Sequence, residues 1–217
     1  MALRINDTVP DFTADTNQGE INFHDWIGDS WAILFSHPKD FTPVCTTEFG
    51  AVAQLADEWA KRNTKVIGIS VDGVDEHNRW IDDIEGVAQA KVGFPIIADE
   101  GLEISKIFDM LPAEYYLPEG RTPADSETVR SVFIIGPDKK LKLSMTYPMT
   151  VGRNFAEILR ALDGLQATAS NPIATPANWV PGEDVIIPPT VSNEDAKAKF
   201  GEFDAVLPYL RKTKLPA

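Results

Sequence analysis

The chain has one cysteine, Cys45, in the stretch FSHPKDFTPVCTTEF (residues 35–49), between an apolar run with the texture of a buried strand and a segment with helical spacing. Pro38, Thr42 and Cys45 spell P-x-x-x-T-x-x-C. Pro38 stops the strand, Thr42 is a good N-cap and Pro43 suits the first helical position, so Cys45 falls in the first turn of a helix. Unpaired backbone N–H groups and the positive end of the helix dipole gather there and favour thiolate over thiol. By count alone a single cysteine reads as a small buried hydrophobe. Its place at a helix start turns the reading toward a nucleophile.

A second cation would add to that field, and Arg130, directly before SVFII (131–135), is the candidate. If SVFII runs antiparallel to WAILF (31–35), its beginning lies at the same sheet edge as the end of WAILF, and Arg130 faces Cys45.

The elements that must hold these groups are legible as apolar patterns. WAILF, KVIGISV (65–71) and SVFII are short runs rich in β-branched or aromatic residues, as expected for strands buried on both faces. Between the first two, Phe49, Val52, Leu55 and Trp59 recur at spacings of three and four, predicting one helix over 42–61 and a strand–helix–strand unit with parallel strands. GPDKK and the alternating LKLSMTY (141–147) predict a hairpin after SVFII. Phe155, Ile158, Leu159, Leu162 and Leu165 share one face of a covering helix over 154–165. The fold class is therefore α/β, with a central mixed sheet flanked by helices. In such sheets ligands collect at the carboxyl ends of the strands, where Cys45 sits.

The prolines at 172, 176, 181, 188 and 189 change the texture after Gln166 and predict an arm too proline-rich for a core of its own. Ser192 is a suitable N-cap for a short helix through Phe200. The domain reading is 1–166 for the main domain and 167–217 for a small carboxyl-terminal extension. The irregular stretch from Leu111 to Arg130 exceeds ordinary loop length and is either functional or mobile.

A net charge of −13 repels nucleic acid and anionic membranes, so neither is an expected partner. MALRINDTVPDF lacks the pattern of a secretory signal, and no window approaches the roughly 18 apolar residues of a spanning helix. One cysteine forms no internal disulfide, which fits a reducing compartment; the expected location is cytoplasmic. No phosphate-binding or dinucleotide fingerprint occurs, and TPVC lacks the first cysteine of a C-x-x-C pair. No cofactor is expected. His24, His37 and His77 lie far apart along the chain without metal-ligand spacing, so no metal site is expected. His77 is expected to cap or solvate a surface helix, and His37 to serve packing or a pocket. GDSWA (28–32) approaches the G-x-S-x-G elbow of serine hydrolases, but Ala32 replaces the last glycine and Ser30 precedes a strand instead of following one. The plain alternative is a turn leading into that strand.

SHPKDFTPVCTTE, together with VRSVFIIGPDKKLKLSMTYPMTVGRNFAEILRALD, resembles the peroxiredoxins over essentially the whole chain, specifically their one-cysteine branch with an extended carboxyl-terminal region. The resemblance implies a thioredoxin-like fold and thiol-dependent reduction of hydrogen peroxide and organic hydroperoxides. It makes Cys45 the peroxidatic nucleophile, has Thr42 hydrogen-bond thiolate and peroxide, has Pro38 shield the pocket, and has Arg130 hold thiolate and substrate oxygen. Glu48 and Arg153 orient that arginine, and His37 lies near the cysteine. An external thiol must reduce the resulting sulfenic acid, since the chain has no second cysteine. The resemblance also implies a homodimer or larger assembly, with the carboxyl-terminal arm reaching a partner subunit. Some members of the branch carry phospholipase activity on a serine, a histidine and an aspartate; by position these are Ser30, His24 and Asp138. A third alternative is an assembly or holdase protein in which nothing depends on Cys45.

Overall fold

The structure is a computed structural model that describes residues 3–113 and 126–215. It divides into two compact units, Met1–Arg153 and Asn154–Ala217. The boundary drawn from composition, after Gln166, falls inside a helix of the second unit.

In the first unit the order is β1 (Thr13–Ala14), β2 (Ile21–Asn22), α1 (Phe23–Ile27), β3 (Trp31–Ser36), α2 (Pro43–Gln54), α3 (Ala56–Lys61), β4 (Thr64–Ser70), α4 (Val74–Ala88), β5 (Ile96–Ala98), α5 (Glu103–Ile107), β6 (Arg130–Ile135) and β7 (Leu141–Tyr147). The central sheet has strand order β5-β4-β3-β6-β7. β3 runs parallel to β4 and antiparallel to β6, with Phe35 opposite Val132. The carboxyl end of β3 and the amino end of β6 therefore share one edge, as the antiparallel expectation requires. β3 is buried on both faces from Ala32 to Ser36, which is why its sequence is an unbroken apolar run.

The helix expected over 42–61 is two helices, broken at Leu55. The Val52 carbonyl takes the Leu55 amide at 3.2 Å and the Trp59 indole N–H at 3.0 Å, so it is satisfied without continuing the helical ladder. Phe49, Val52 and Trp59 still point inward, and fully burying a side chain such as Phe49 contributes about 1.5–3 kcal/mol. Two glycines let α2 sit close. A Cβ at Gly68 would meet the Phe49 ring at 2.8 Å, and one at Gly50 would meet Ala88 Cβ at 2.8 Å.

The second unit contains α6 (Phe155–Ser170), β8 (Val185–Ile187), α7 (Asn193–Phe200), β9 (Asp204–Leu207) and β10 (Leu210–Thr213). α6 extends beyond its expected end at Leu165, and the Asn154 side chain caps its start by accepting from the Ala156 and Glu157 amides. Ser192 caps α7 as expected, accepting from the Asp195 amide at 3.0 Å. The proline-rich stretch does more than form an arm. β8, β10 and β9 pair into an antiparallel sheet, and Ile173, Trp179 and Val185 form a small core. Prolines interrupt the chain between these elements but do not prevent the apolar residues from meeting. Residues 114–125 of the long irregular stretch lie outside the described residues.

Candidate active site

Cys45 lies in the first turn of α2 and is buried. Thr42 is the N-cap by backbone geometry, but its hydroxyl donates to the Lys39 carbonyl at 2.9 Å and makes no side-chain cap bond. The side-chain part of the N-cap expectation therefore fails. Thr42 instead cinches the loop that leads into the helix, and its carbonyl accepts from the Thr46 amide and hydroxyl. Pro38 is buried two residues beyond the end of β3.

From the start of β6, Arg130 Nη1 donates to Cys45 Sγ at 3.3 Å and to Glu48 Oε2 at 2.7 Å, while its Nε donates to the Met149 carbonyl at 2.7 Å. Glu48 stands one turn beyond Cys45 on α2. Its second guanidinium is Arg153, whose Nη2 reaches Oε2 at 2.6 Å and whose Nε and backbone N–H reach Oε1 at 2.9 and 2.7 Å. Arg153 Nη1 donates to the Ser36 and Ser131 carbonyls at 2.7 and 2.9 Å, tying the arrangement to β3 and β6. Both arginines and Glu48 are almost wholly buried. Burial pushes the Glu48 carboxyl up, but the hydrogen bonds and charge of Arg153, with the charge of Arg130, outweigh it and hold the group below the usual glutamate range. Arg130 shares its carboxylate with Arg153, so its own charge is only partly neutralised; among the described residues its other side-chain partner is the sulfur.

His37 is buried, with its ring stacked on Trp80 at 5.0 Å and edge-on to Phe49 at 4.6 Å between centroids. Its Nε2 lies 2.6 Å from Asp40 Oδ1. His77, expected at the surface, is fully buried, with Nδ1 2.6 Å from Asp40 Oδ2 and Nε2 3.1 Å from the Ile97 carbonyl. The spacing of His77, Trp80 and Ile84 on α4 marks an inward stripe and is the signal that locates His77. Two of the three histidines thus meet on one aspartate despite their separation in sequence. His37, Asp40 and Asp72 bring ligand atoms within 4.8 Å of one another. The 2.6 Å contact between His37 Nε2 and Asp40 Oδ1 is a hydrogen bond that already engages both of those atoms.

Ser30, His24 and Asp138 do not form a hydrogen-bonded triad. The Ser30 hydroxyl donates to Asn63 Oδ1 at 3.1 Å, His24 Nε2 lies 2.9 Å from the Val9 carbonyl, and Asp138 takes Lys142 Nζ at 2.6 Å. Sequence reasoning missed Asp40 and His77, along with Thr128, Met149, Ser36 and Ser131, which act through backbone or hydroxyl groups that carry no motif.

Comparison with known proteins agrees with this geometry. The AhpC/TSA family model matches residues 5–144, and the C-terminal domain of 1-Cys peroxiredoxin matches residues 164–202. Peroxiredoxin PRX1, mitochondrial, of Saccharomyces cerevisiae is 54% identical over 213 residues, covering 98% of this chain and 81% of its own length. Peroxiredoxin-6 of Rattus norvegicus is 52% identical over 225 residues, covering 99% and 98%. A crystal structure of a mutant Peroxiredoxin 6 of Arenicola marina superposes with a TM-score of 0.92 at 45% identity, covering 99% of each chain. The chain belongs to the AhpC/TSA family and, within it, to the one-cysteine peroxiredoxins with a C-terminal domain of their own. It has their thioredoxin-like fold and is a thiol-dependent peroxidase.

Proposed function

We propose that Cys45 is the peroxidatic nucleophile, on one observation above the rest: Arg130 Nη1 stands 3.3 Å from its sulfur while sharing its carboxylate with a second arginine. The thiolate attacks one oxygen of the peroxide. The S–O bond forms as the O–O bond breaks, and the departing hydroxide or alkoxide takes a proton to leave as water or alcohol. Negative charge moves along the O–O axis; Arg130 and the N–H groups at the start of α2 serve as its donors, and the Thr42 hydroxyl joins them by turning from the Lys39 carbonyl. Pro38 keeps water from the sulfur, Glu48 and Arg153 hold Arg130, and His37 supports the pocket.

The product is the sulfenic acid of Cys45. An external thiol attacks its sulfur, releasing water and leaving a mixed disulfide that a second thiol reduces. A relative, the yeast mitochondrial 1-Cys peroxiredoxin, 53% identical to this chain, resolves its thiol through glutathione/thioredoxin systems, and we assign reductants of that kind here. The protein acts as a homodimer or larger homo-oligomer in the cytoplasm, without nucleic acid or membrane partners. The charge of −13 supports the last point, and among the described residues no helix is long and apolar enough to cross a membrane. The first unit, Met1–Arg153, carries the catalysis, and the second, Asn154–Ala217, serves association.

The test is peroxide consumption with dithiothreitol or glutathione as reductant. Turnover is expected for the native chain and none for Cys45→Ser; equal turnover by both removes Cys45 from the mechanism. Sedimentation velocity decides the assembly, a dimer or larger species being expected and a monomer at working concentration contradicting it.

A further inference from the structure

The array formed by His37, Asp40 and His77 has no part in the mechanism above beyond His37, yet its hydrogen-bonding atoms fix where protons must be. The Ile97 carbonyl only accepts, so His77 Nε2 must carry hydrogen. His77 Nδ1 faces a carboxylate oxygen at 2.6 Å, which accepts unless it is itself protonated. His37 Nε2 faces the other oxygen at 2.6 Å and must likewise donate. An ionised Asp40 therefore requires hydrogen on both nitrogens of His77. Among the described residues His37 Nδ1 is left buried with no hydrogen-bond partner, which suits a bare lone pair and not an N–H, whose burial unsatisfied is costly.

We propose that Asp40 and His77 are positioning residues for the peroxidase reaction: His77 is the imidazolium of a buried ion pair with Asp40, and the pair holds His37 as the neutral Nε2–H tautomer with Nδ1 open as an acceptor. The same aspartate anchors the loop between β3 and α2, because its backbone N–H donates to Asp72 Oδ2 at 2.9 Å, an oxygen that also accepts from the Ser70 hydroxyl at 2.8 Å. Thr128 adds a hydroxyl to the His37 carbonyl at 2.8 Å, two residues before Arg130. The loop that carries Pro38 and Thr42 to Cys45 is thus pinned at His37 and Asp40. Trp80, on which His37 stacks, donates to the Thr46 hydroxyl beside Cys45 at 3.1 Å.

The electrostatics point the same way. Burial pushes His37 down, against the hydrogen bond and charge of Asp40. Burial pushes Asp40 up, but the hydrogen bonds of His37 and His77 prevail and bring it to about 2. Asp72 is the other acidic group acting on His37.

This inference rests on the reading that Cys45 carries the reaction, so its test has a readout apart from activity. In the full chain labelled with 15N-histidine, NMR at neutral pH should find two ring N–H groups on His77 and one, at Nε2, on His37. A single ring proton on His77 overturns the ion pair, and a proton on His37 Nδ1 overturns the open acceptor. In Asp40→Asn the second ring proton of His77 should vanish. The oxidation of Cys45 by peroxide should slow by up to roughly a hundredfold, the cost of a small misplacement of positioned catalytic groups. His77→Gln leaves Asp40 without its cation, and its oxidation rate should gain a pH step near His37 titration that the native chain lacks. Native-like rates and pH profiles in both folded variants overturn the positioning role. An inert native Cys45 would instead defeat the proposed mechanism, while the ring protons seen by NMR would still decide the ion pair.

Discussion

Ser30, with His24 and Asp138, and Cys45, with Arg130 and Glu48, lie at opposite ends of β3, and the two sets of polar residues have opposite fates. Before the strand, each member of the first set is satisfied separately: Ser30 by Asn63, His24 by a backbone carbonyl, Asp138 by Lys142. After the strand, residues from α2, the start of β6 and the segment following β7 converge on a single buried carboxylate and a single sulfur. Candidate residues become a site when the topology leaves a charge that only the reacting atom can complete. Local hydrogen bonding at the Ser30 end leaves no such remainder.

That contrast can be broken or sharpened by substitution. The largest effect belongs to Arg130→Ala, which removes the donor 3.3 Å from Cys45 Sγ and should slow sulfenic acid formation by about 10²–10³-fold in stopped-flow assays, the usual cost of one lost charge-stabilising donor. An unchanged rate would put Arg130 outside the reaction. Next is Glu48→Gln, which leaves two guanidinium groups facing a neutral amide. Breaking a buried pair of this kind costs about 3–5 kcal/mol, measurable as a lower urea midpoint at unchanged slope, and an unaltered midpoint would show that the cluster does not hold the site together.

Acid should act through Asp40. Its folded pKa of about 2 lies below the ordinary aspartate value of about 3.9, so the unfolded chain binds the proton first. Stability from this group is full above about pH 4 and lost as pH falls toward 2, by on the order of 2 kcal/mol. Urea titrations across that range should show a smaller loss in Asp40→Asn than in the native chain, and equal losses would contradict the assignment. The smallest effect is expected at the other end of β3. Ser30→Ala should leave peroxide turnover intact and shift stability by only about 0.5 kcal/mol, as for surface positions generally, and ester hydrolysis lost on this substitution would revive the hydrolase alternative.

The apolar runs of β3, β4 and β6 are legible because a strand buried on both faces leaves an uninterrupted signature, β7 is legible from its alternation, and the position of Arg130 follows from one assumption about strand direction. The start of α2 is legible from Thr42 and Pro43 as backbone punctuation, although the Thr42 hydroxyl gives its hydrogen to Lys39. Glu48 and Arg153 enter through family resemblance, since nothing local says that residues so far apart in the chain share a carboxylate. The Asp40–His77 contact is hidden for the same reason, and His77 reads as a surface residue because a charged neighbourhood masks the inward spacing it shares with Trp80 and Ile84. In the second unit, proline counts correctly signal interruptions but not the pairing of β8 with β10, which depends on contacts across most of that unit.

Intact-mass spectrometry of the reduced chain treated with one equivalent of hydrogen peroxide tests most directly whether Cys45, beside Arg130, accepts oxygen from a peroxide. A rapid single-oxygen adduct that maps to Cys45, is trapped by dimedone and is erased by added thiol is the predicted result. An unchanged mass, or an oxygen placed on methionine while Cys45 stays reduced, would contradict it.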